Sequence, residues 1–554
     1  MSSSSVPILQ PLAICAGTWL VWKLLRFAFS KDPFANIPGP PPDTWLTGNL
    51  AQLLDKDNWE FHEECVRKYG RVFSWTSFLK SRSIYVYDPK ALQHIFLKDQ
   101  HIYEEAQDFL QTNHRVFGKG LIATLGDVHK KQRKMLNPVF SSAHMRDMTP
   151  TFYAVAHKLR DGVAKQVSEG QESINMLQWM ARTALELIGQ SGFGHSFDNL
   201  ESGGKEHPVG AAVKDLFRAV NTGFIAVARL SIHHIVFDWG TPAFQRAVVN
   251  ALPWPALHDL RDMVDTLHAA STDIFERTKR DVAEGKDMSS RVGGGKDIMS
   301  ILVKANMNAS EEDRLPDDEL LGQIATFVFA ATDTTSNALA RTLEILGRHP
   351  DAQEKLRQEV THAYEEHGDV LDFDTIMALP YLDAVCRETL RLYAPAPLIG
   401  RQVRQDVVMP LSKPIVGLDG REISEIFIPK DTRIVVSLIH CNRDTAIWGP
   451  DAEEWKPERW LNPLPQSLTD AKVPGVYSHV MTFIGGSRSC IGFKFSQLEM
   501  KVVLSTLIRS FKFEPTGQKV MWQLNGIMQP TTEDAERNEI GERKLQLPMR
   551  VSLI

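Results

Sequence analysis

A chain of 554 residues that is 43% hydrophobic and 23% charged can bury a large core, and its formal net charge of −6 is small for that size. No basic tail or stripe accompanies it, which excludes nucleic acid as a partner class. Its five cysteines, Cys15, Cys65, Cys386, Cys441 and Cys490, are far apart, odd in number and without CxxC spacing. Neither a disulfide framework nor a zinc site is indicated, and the usage suits a reduced, cytosol-facing protein.

Taken in chain order, the first expected element is a membrane anchor. Val6 to Phe29 is largely apolar, close to the ~20 residues that cross a bilayer. Lys23, Arg26 and Lys31 lie at or beyond its far end, so the positive-inside tendency places the body in the cytosol. A cleaved signal peptide would carry its charge before the apolar core and small residues at a cleavage site, and neither is present. Residues 1–30 are therefore read as one transmembrane helix. Residues 31–45, with Pro38-Gly39-Pro40-Pro41-Pro42, are read as a stiff spacer, and residues 46–554 as the body.

Within the body, Asn58 to Lys68 predicts an amphipathic helix. Arg71–Trp75 and Ser83–Tyr87 alternate apolar and polar side chains and predict a hairpin. Pro89 opens a further helix at the position proline favours. Asp127 to Leu136 predicts another helix. From about Pro150 to the high three-hundreds the periodicity is helical, including long apolar stretches at Pro316–Arg348 and Tyr381–Tyr393. Strand-like runs return after Gly400, at Arg433–Ile439 and Leu545–Leu553, interrupted by a helix from Gly492 to about Ser510. The fold class expected is mainly α with a small β-rich side. Gly293-Gly294-Gly295 sits in a polar stretch without a preceding strand or a GK[ST] sequel, so it reads as a surface loop. His233-His234 are adjacent and share no helix face, which argues against a metal site.

Chemistry concentrates in Phe483-Ile-Gly-Gly-Ser-Arg-Ser-Cys-Ile-Gly492. Gly485 and Gly486 permit tight turns that bring backbone close to a flat partner. Cys490 stands where a helix begins, and helix-end amides lower a thiol pKa. A thiolate so placed can bind iron. Arg488 could pair with an acidic cofactor group. A structural cysteine in a glycine turn remains the alternative.

Phe483, Gly486, Arg488, Cys490 and Gly492 occupy every fixed position of FxxGxRxCxG, and here the chain resembles the cytochrome P450 family. Three further segments match in order. Glu388 and Arg391 are similar to the family's ExxR helix, and Arg459 in Pro457-Glu458-Arg459-Trp460 to its second arginine. The resemblance implies a buried structural Glu–Arg–Arg network holding the cysteine loop. Ala330-Ala331-Thr332-Asp333-Thr334-Thr335 looks like the oxygen-binding motif (A/G)Gx(D/E)T(T/S), with Ala331 where glycine is usual. Asp333 and Thr334 would be the acid–alcohol pair that delivers protons during dioxygen activation. His129 and Arg133 share a helix face where the family often has WxxxR, and Arg401 resembles another propionate-binding position. The resemblance thus implies Cys490 as axial ligand of haem b, with Arg488, Phe483, Gly486, His129, Arg133 and Arg401 around the cofactor.

The implied activity is monooxygenation of a lipophilic substrate in an endoplasmic reticulum membrane. Substrate contacts are expected at Phe109–Phe117, Phe217–Val227, Phe327, Ala330, Leu398-Ile399 and Gly526-Ile527-Met528. The chain looks most like microsomal fungal members of mushroom secondary metabolism. That implies a terpenoid, with a lanostane-type triterpenoid or sterol ahead of a sesquiterpenoid, a fatty acid or an aromatic xenobiotic. Electrons would come from NADPH through a separate flavin-bearing reductase, docked near Lys130, Lys131, Lys134 and Lys494. Two competing readings are a haem-thiolate isomerase or dehydratase, against which Asp333-Thr334 argues, and a membrane-anchored helical binding protein without redox chemistry.

Overall fold

The 32-residue helix Asp317–Arg348 is the axis about which the other helices are arranged. Three acidic residues, Asp317, Asp318 and Glu319, fill its first turn and Arg348 its last, each complementing the helix dipole. Ile324, Val328, Leu339, Leu343 and Leu346 are buried around its circumference, so it must be enclosed. Helices Met176–Leu187, Pro255–Ala283 and Phe493–Ser510 pack against it, and Ser142–Ser168 packs on two of these. In this computed structural model the described residues are 32–77, 81–221, 240–286, 295–477, 479–537 and 541–554, with 223, 225, 226 and 229. The expected anchor, His233-His234, residues 293–294 of the glycine run and parts of Phe217–Val227 lie outside them. Among the described residues no helix is long and apolar enough to cross a membrane, and no cluster suits a metal ion.

The sheet on the other side has five strands. Their order is Val72–Thr76, Arg82–Val86, Arg433–Ser437, Leu398–Val403 and Tyr103–Glu104. The first two form the expected antiparallel hairpin, with Phe73 opposite Tyr85, and Arg82–Val86 then runs parallel to Arg433–Ser437. Alternation of side chains predicts one wet face, yet every residue of Val72–Thr76 is buried. The polar positions are sealed by partners: the Ser74 hydroxyl donates to the Ile37 carbonyl, and Asn49 accepts from the Thr76 N–H. The proline run does this sealing. The Pro38 carbonyl accepts from the Ser74 N–H at 2.8 Å, and a Cβ on Gly39 would stand 1.8 Å from the Ser74 carbonyl oxygen. Pro38–Pro42 is thus laid against the hairpin rather than held off it.

Most predicted helices fall within one or two residues of their expected bounds: Trp59–Tyr69, Gly126–Leu136, Pro380–Leu392 and Phe493–Ser510. Two strands are shorter than expected. Ser437 accepts from the His440 N–H and starts a helix at Leu438, which ends the strand Arg433–Ser437. The closing strand is Pro548–Leu553, paired with Phe511–Pro515.

Candidate active site

The cysteine loop packs glycine against backbone. A Cβ on Gly485 would stand 2.0 Å from the Pro474 carbonyl oxygen, and one on Gly486 1.9 Å from that of Phe96. Gly486 also has φ of +75°, so no other residue fits there without strain. These glycines therefore press on the protein, not on a flat partner as their spacing suggested. The glycine that faces open space is Gly492, two residues past the cysteine, where a Cβ would meet nothing within 4 Å. Within the loop, the Cys490 N–H donates to the Phe483 carbonyl at 3.0 Å. Arg133 donates to the carbonyls of Ser487 and Ser489 and to the Ser489 hydroxyl, and the Ser487 N–H donates to Gln100.

Cys490 is the exposed one of the four described cysteines; Cys65, Cys386 and Cys441 are buried. Protein nevertheless crowds its thiol closely enough that burial pushes the pKa up, against the Gly492 N–H and Arg133, which pull it down. The expectation of a lowered thiol pKa is overturned. The helix starts only at Phe493, with Gly492 as its cap, so desolvation outweighs the helix-end field. Burial also raises the other three thiols, Cys65 to about 11 and Cys386 to about 12, which leaves them inert.

Three guanidiniums surround the loop. Arg133 braces it as above. Arg488 donates to the Thr124 carbonyl at 2.9 Å and pairs with Glu104 at 3.3 Å. Arg401, buried over the Phe96 ring, pairs with Glu105 at 2.8 Å. His129 is buried nearby, and burial with the charges of Arg488 and Arg133 drives its pKa down to about 3. Neutral at pH 7, it could offer an anion one ring N–H. Three arginines against two carboxylates, beside an accessible thiol and an unfilled glycine face, match the chemistry of an iron porphyrin bearing two propionates. The residues present therefore fit haem. His129, Arg133, Arg401 and Arg488 could hold its propionates and Cys490 its iron.

Arg401 and Glu105, together with Ala330 and Thr334 of the long helix, also line a cavity of about 710 Å³. The Thr334 hydroxyl donates to the Ala330 carbonyl one turn back, at 2.7 Å. Asp333 leaves the helix toward different surroundings. It accepts from Asn337 at 3.0 Å and Gln529 at 3.2 Å, and burial lifts its pKa to about 7 despite these amides. A carboxyl group balanced between its two forms at neutral pH can both give and take a proton. Ala331, in place of the usual glycine, is half-buried and packs on the helical core.

The rest of the cavity lining is mostly apolar. It includes Phe109, Val116, Phe117, Phe217, Val220, Leu398, Ile399, Gly526 and Ile527, as expected. Two expected contacts lie elsewhere. Phe327 packs edge-on against Phe140 in the core, and its place is taken by Phe329, stacked on Phe217 at 5.2 Å. Met528 lines a separate cavity of about 250 Å³ with Asn337, Arg341 and Trp522. Gly526, with φ of +84°, lets the Phe217 ring approach to 2.1 Å of where a Cβ would be.

Glu388, Arg391 and Arg459 meet in one buried network. Glu388 accepts two bonds from Arg391, at 2.8 and 2.9 Å, and one each from Arg459, Trp460 and the Lys456 N–H. Arg391 also donates to the carbonyls of Asn442 and Ala452. Asn442 in turn accepts from the Met481 N–H and donates to Thr482, next to Phe483. The network thereby reaches the start of the cysteine loop.

A mainly helical body with a small sheet, a loop-borne thiol beside a guanidinium cluster, and an acid and an alcohol on the long helix define a haem-thiolate enzyme. The family model for cytochrome P450 matches residues 38–534. Cytochrome P450 monooxygenase 91 from Postia placenta is 46% identical over 548 residues, covering 99% of each chain. Cytochrome P450 monooxygenase 81 from the same fungus is 45% identical, covering 100% of this chain and 99% of the relative. A ganoderic acid synthetase, CYP5150L8, from Ganoderma lucidum is 41% identical, covering 96% of this chain and 97% of the relative. The chain belongs to the cytochrome P450 family. It is a haem monooxygenase that acts on small molecules and takes electrons from a separate reductase.

Sequence reasoning missed the groups that hold these residues. Asn337 lies four residues after Asp333 on one helix face, a spacing that could have revealed it. Gln529, Glu104, Glu105 and Gln100 come from distant elements and carry no local signal.

Proposed function

We propose that this monooxygenase oxidises a terpenoid, a lanostane-type triterpenoid or sterol ahead of a sesquiterpenoid, in successive steps of secondary metabolism. The observation that carries this is the cavity of about 710 Å³, apolar over most of its lining, with Thr334 and Ala330 at one wall. The similarity to a protein named ganoderic acid synthetase supports a terpenoid substrate. When bound, haem supplies the redox iron at which dioxygen is activated. Cys490 would hold that iron, and Arg133, Arg401, Arg488 and His129 would orient the cofactor through its propionates. Phe483 and Gly486 shape the loop, while Glu388, Arg391 and Arg459 anchor it. Asp333 and Thr334 bring protons in from the long helix.

The N-terminal apolar segment anchors the enzyme in the endoplasmic reticulum membrane, where lipophilic substrates concentrate, with the body in the cytosol. The reductase is NADPH–cytochrome P450 reductase, docking on the cysteine-loop face. Lys130 is exposed there, whereas Lys134 pairs with Asp313 and Lys131 donates to the Arg314 carbonyl. Lys494 donates to the Ser142 hydroxyl. The test is a host expressing the full chain with that reductase and fed lanosterol or a sesquiterpene. Oxygenated lanosterol is expected. Turnover of the sesquiterpene alone would overturn the triterpenoid assignment, and protein without a thiolate-type carbon monoxide band would overturn the reading of the site.

A further inference from the structure

The apolar cavity has one strongly charged end. Asp108, in the first turn of helix Gln107–Phe117, is 2% exposed, accepts a hydrogen bond from Arg229 and forms an ion pair with Arg433. Arg229 reaches its Oδ2 at 3.1 Å and Arg433 its Oδ1 at 2.8 Å. Arg229 also donates to the Asn221 side-chain oxygen at 2.7 Å, while its Nε is buried without an acceptor among the described residues. All four residues line the cavity.

We infer that Arg229 and Arg433, around Asp108, form a recognition subsite for the carboxylate of an amphipathic, otherwise lipophilic substrate. The inference rests on the monooxygenase reading of the same cavity and narrows its substrate class.

Charge balance supports an anion rather than a hydroxyl. The remaining ionic pair on the lining, Arg401 with Glu105, is matched one to one at 2.8 Å. His62 also lines the cavity, but burial holds its pKa near 4, so it is neutral at pH 7. Among the described lining residues, three guanidiniums stand with two carboxylates. Burial works against the charge of Arg229; Asp108 sustains it and Arg433 opposes it. A buried cation that shares its counter-ion is costly, and a second carboxylate relieves that cost. The planar guanidinium suits the task because its Nε edge can bind a carboxylate in register with an Nη. A carboxylate held there leaves the apolar remainder of the ligand to run along Phe109, Phe117 and Leu398 toward Thr334.

The test uses the full-length holoenzyme and calorimetric titration at pH 7. Two pairs of probes are compared: a lanostane-type carboxylic acid with its methyl ester, and farnesoic acid with its methyl ester. Each acid is expected to bind at least about tenfold more tightly than its ester. Arg229→Gln should erase that preference, and Arg229→Lys should restore part of it. Asp108→Asn, which removes the competing carboxylate, should tighten acid binding, so the idea survives a poorly folding arginine variant. Esters that bind as tightly as acids would overturn this inference alone. If neither acids nor esters bind, the lipophile reading falls and this inference with it.

Discussion

Two buried carboxylates show how context divides scaffold from chemistry. Glu388 is wholly enclosed and receives five hydrogen bonds, three of them from guanidiniums. Asp333 is equally buried but is met only by neutral amides from Asn337 and Gln529. Charged donors hold the first in place, whereas burial lifts the second to a pKa of about 7 against the pull of its two amides. The same functional group serves as a rivet in one place and as a proton store in the other.

The sharpest way to break this contrast is Glu388→Ala. It strands two guanidiniums in the interior, and a loss of ~3–5 kcal/mol is expected, read as a collapse in holoprotein yield and thermal midpoint. Retention of stability would show that the network is dispensable. Asp333→Asn should act differently, through pH. Because the folded pKa of Asp333 lies above the ordinary carboxylate value of 3.8, its protonation stabilises the fold below about pH 4. That contribution drains away as pH rises through about 7, amounting to on the order of 4 kcal/mol by pH 8. The asparagine variant should therefore lose less stability than the parent between pH 4 and 8 in calorimetric scans. It should also yield ~10²-fold less product per electron consumed.

Gly486→Ala asks whether the cysteine loop belongs with the scaffold. Its methyl would lie 1.9 Å from the Phe96 carbonyl oxygen at positive φ, so a destabilisation of about 2–3 kcal/mol is expected in chemical denaturation. The smallest effect concerns Gln529→Leu. Removing a donor that favours the charged form of Asp333 should move the acid limb of the pH–rate profile upward by about one unit. An unshifted limb would detach Asp333 from proton supply.

Local pattern made the helices legible, and the Glu388–Arg391 pair with them, because a spacing of three residues puts both on one helix face. The cysteine loop was legible through a motif, not through physics: burial raises the thiol pKa where the helix start alone suggests a fall. Phe327 misled for a related reason. An apolar residue on an all-apolar helix can face either side, and only packing against Phe140 decides between them. Gln529, which meets Asp333, and the guanidiniums that meet Asp108 come from strands and helices more than a hundred residues away, beyond the reach of any periodicity.

The bracing of the cysteine loop also has a consequence for the order of assembly. Ser487 is tied to Gln100 across 387 residues, Arg488 to Glu104 across 384, and Ser489 to Arg133 across 356. Contacts so distant along the chain are among the slowest to form, since each closes a very large loop. During synthesis the early half of the clamp emerges long before the segment it is to grip. Residues 100–133 must therefore wait, arginine and carboxylates exposed, until the last eighth of the protein arrives. Capture of the cofactor is set by this geometry as a closing event of folding, and a truncation that removes the final helix should leave a chain that is largely helical but cannot retain haem.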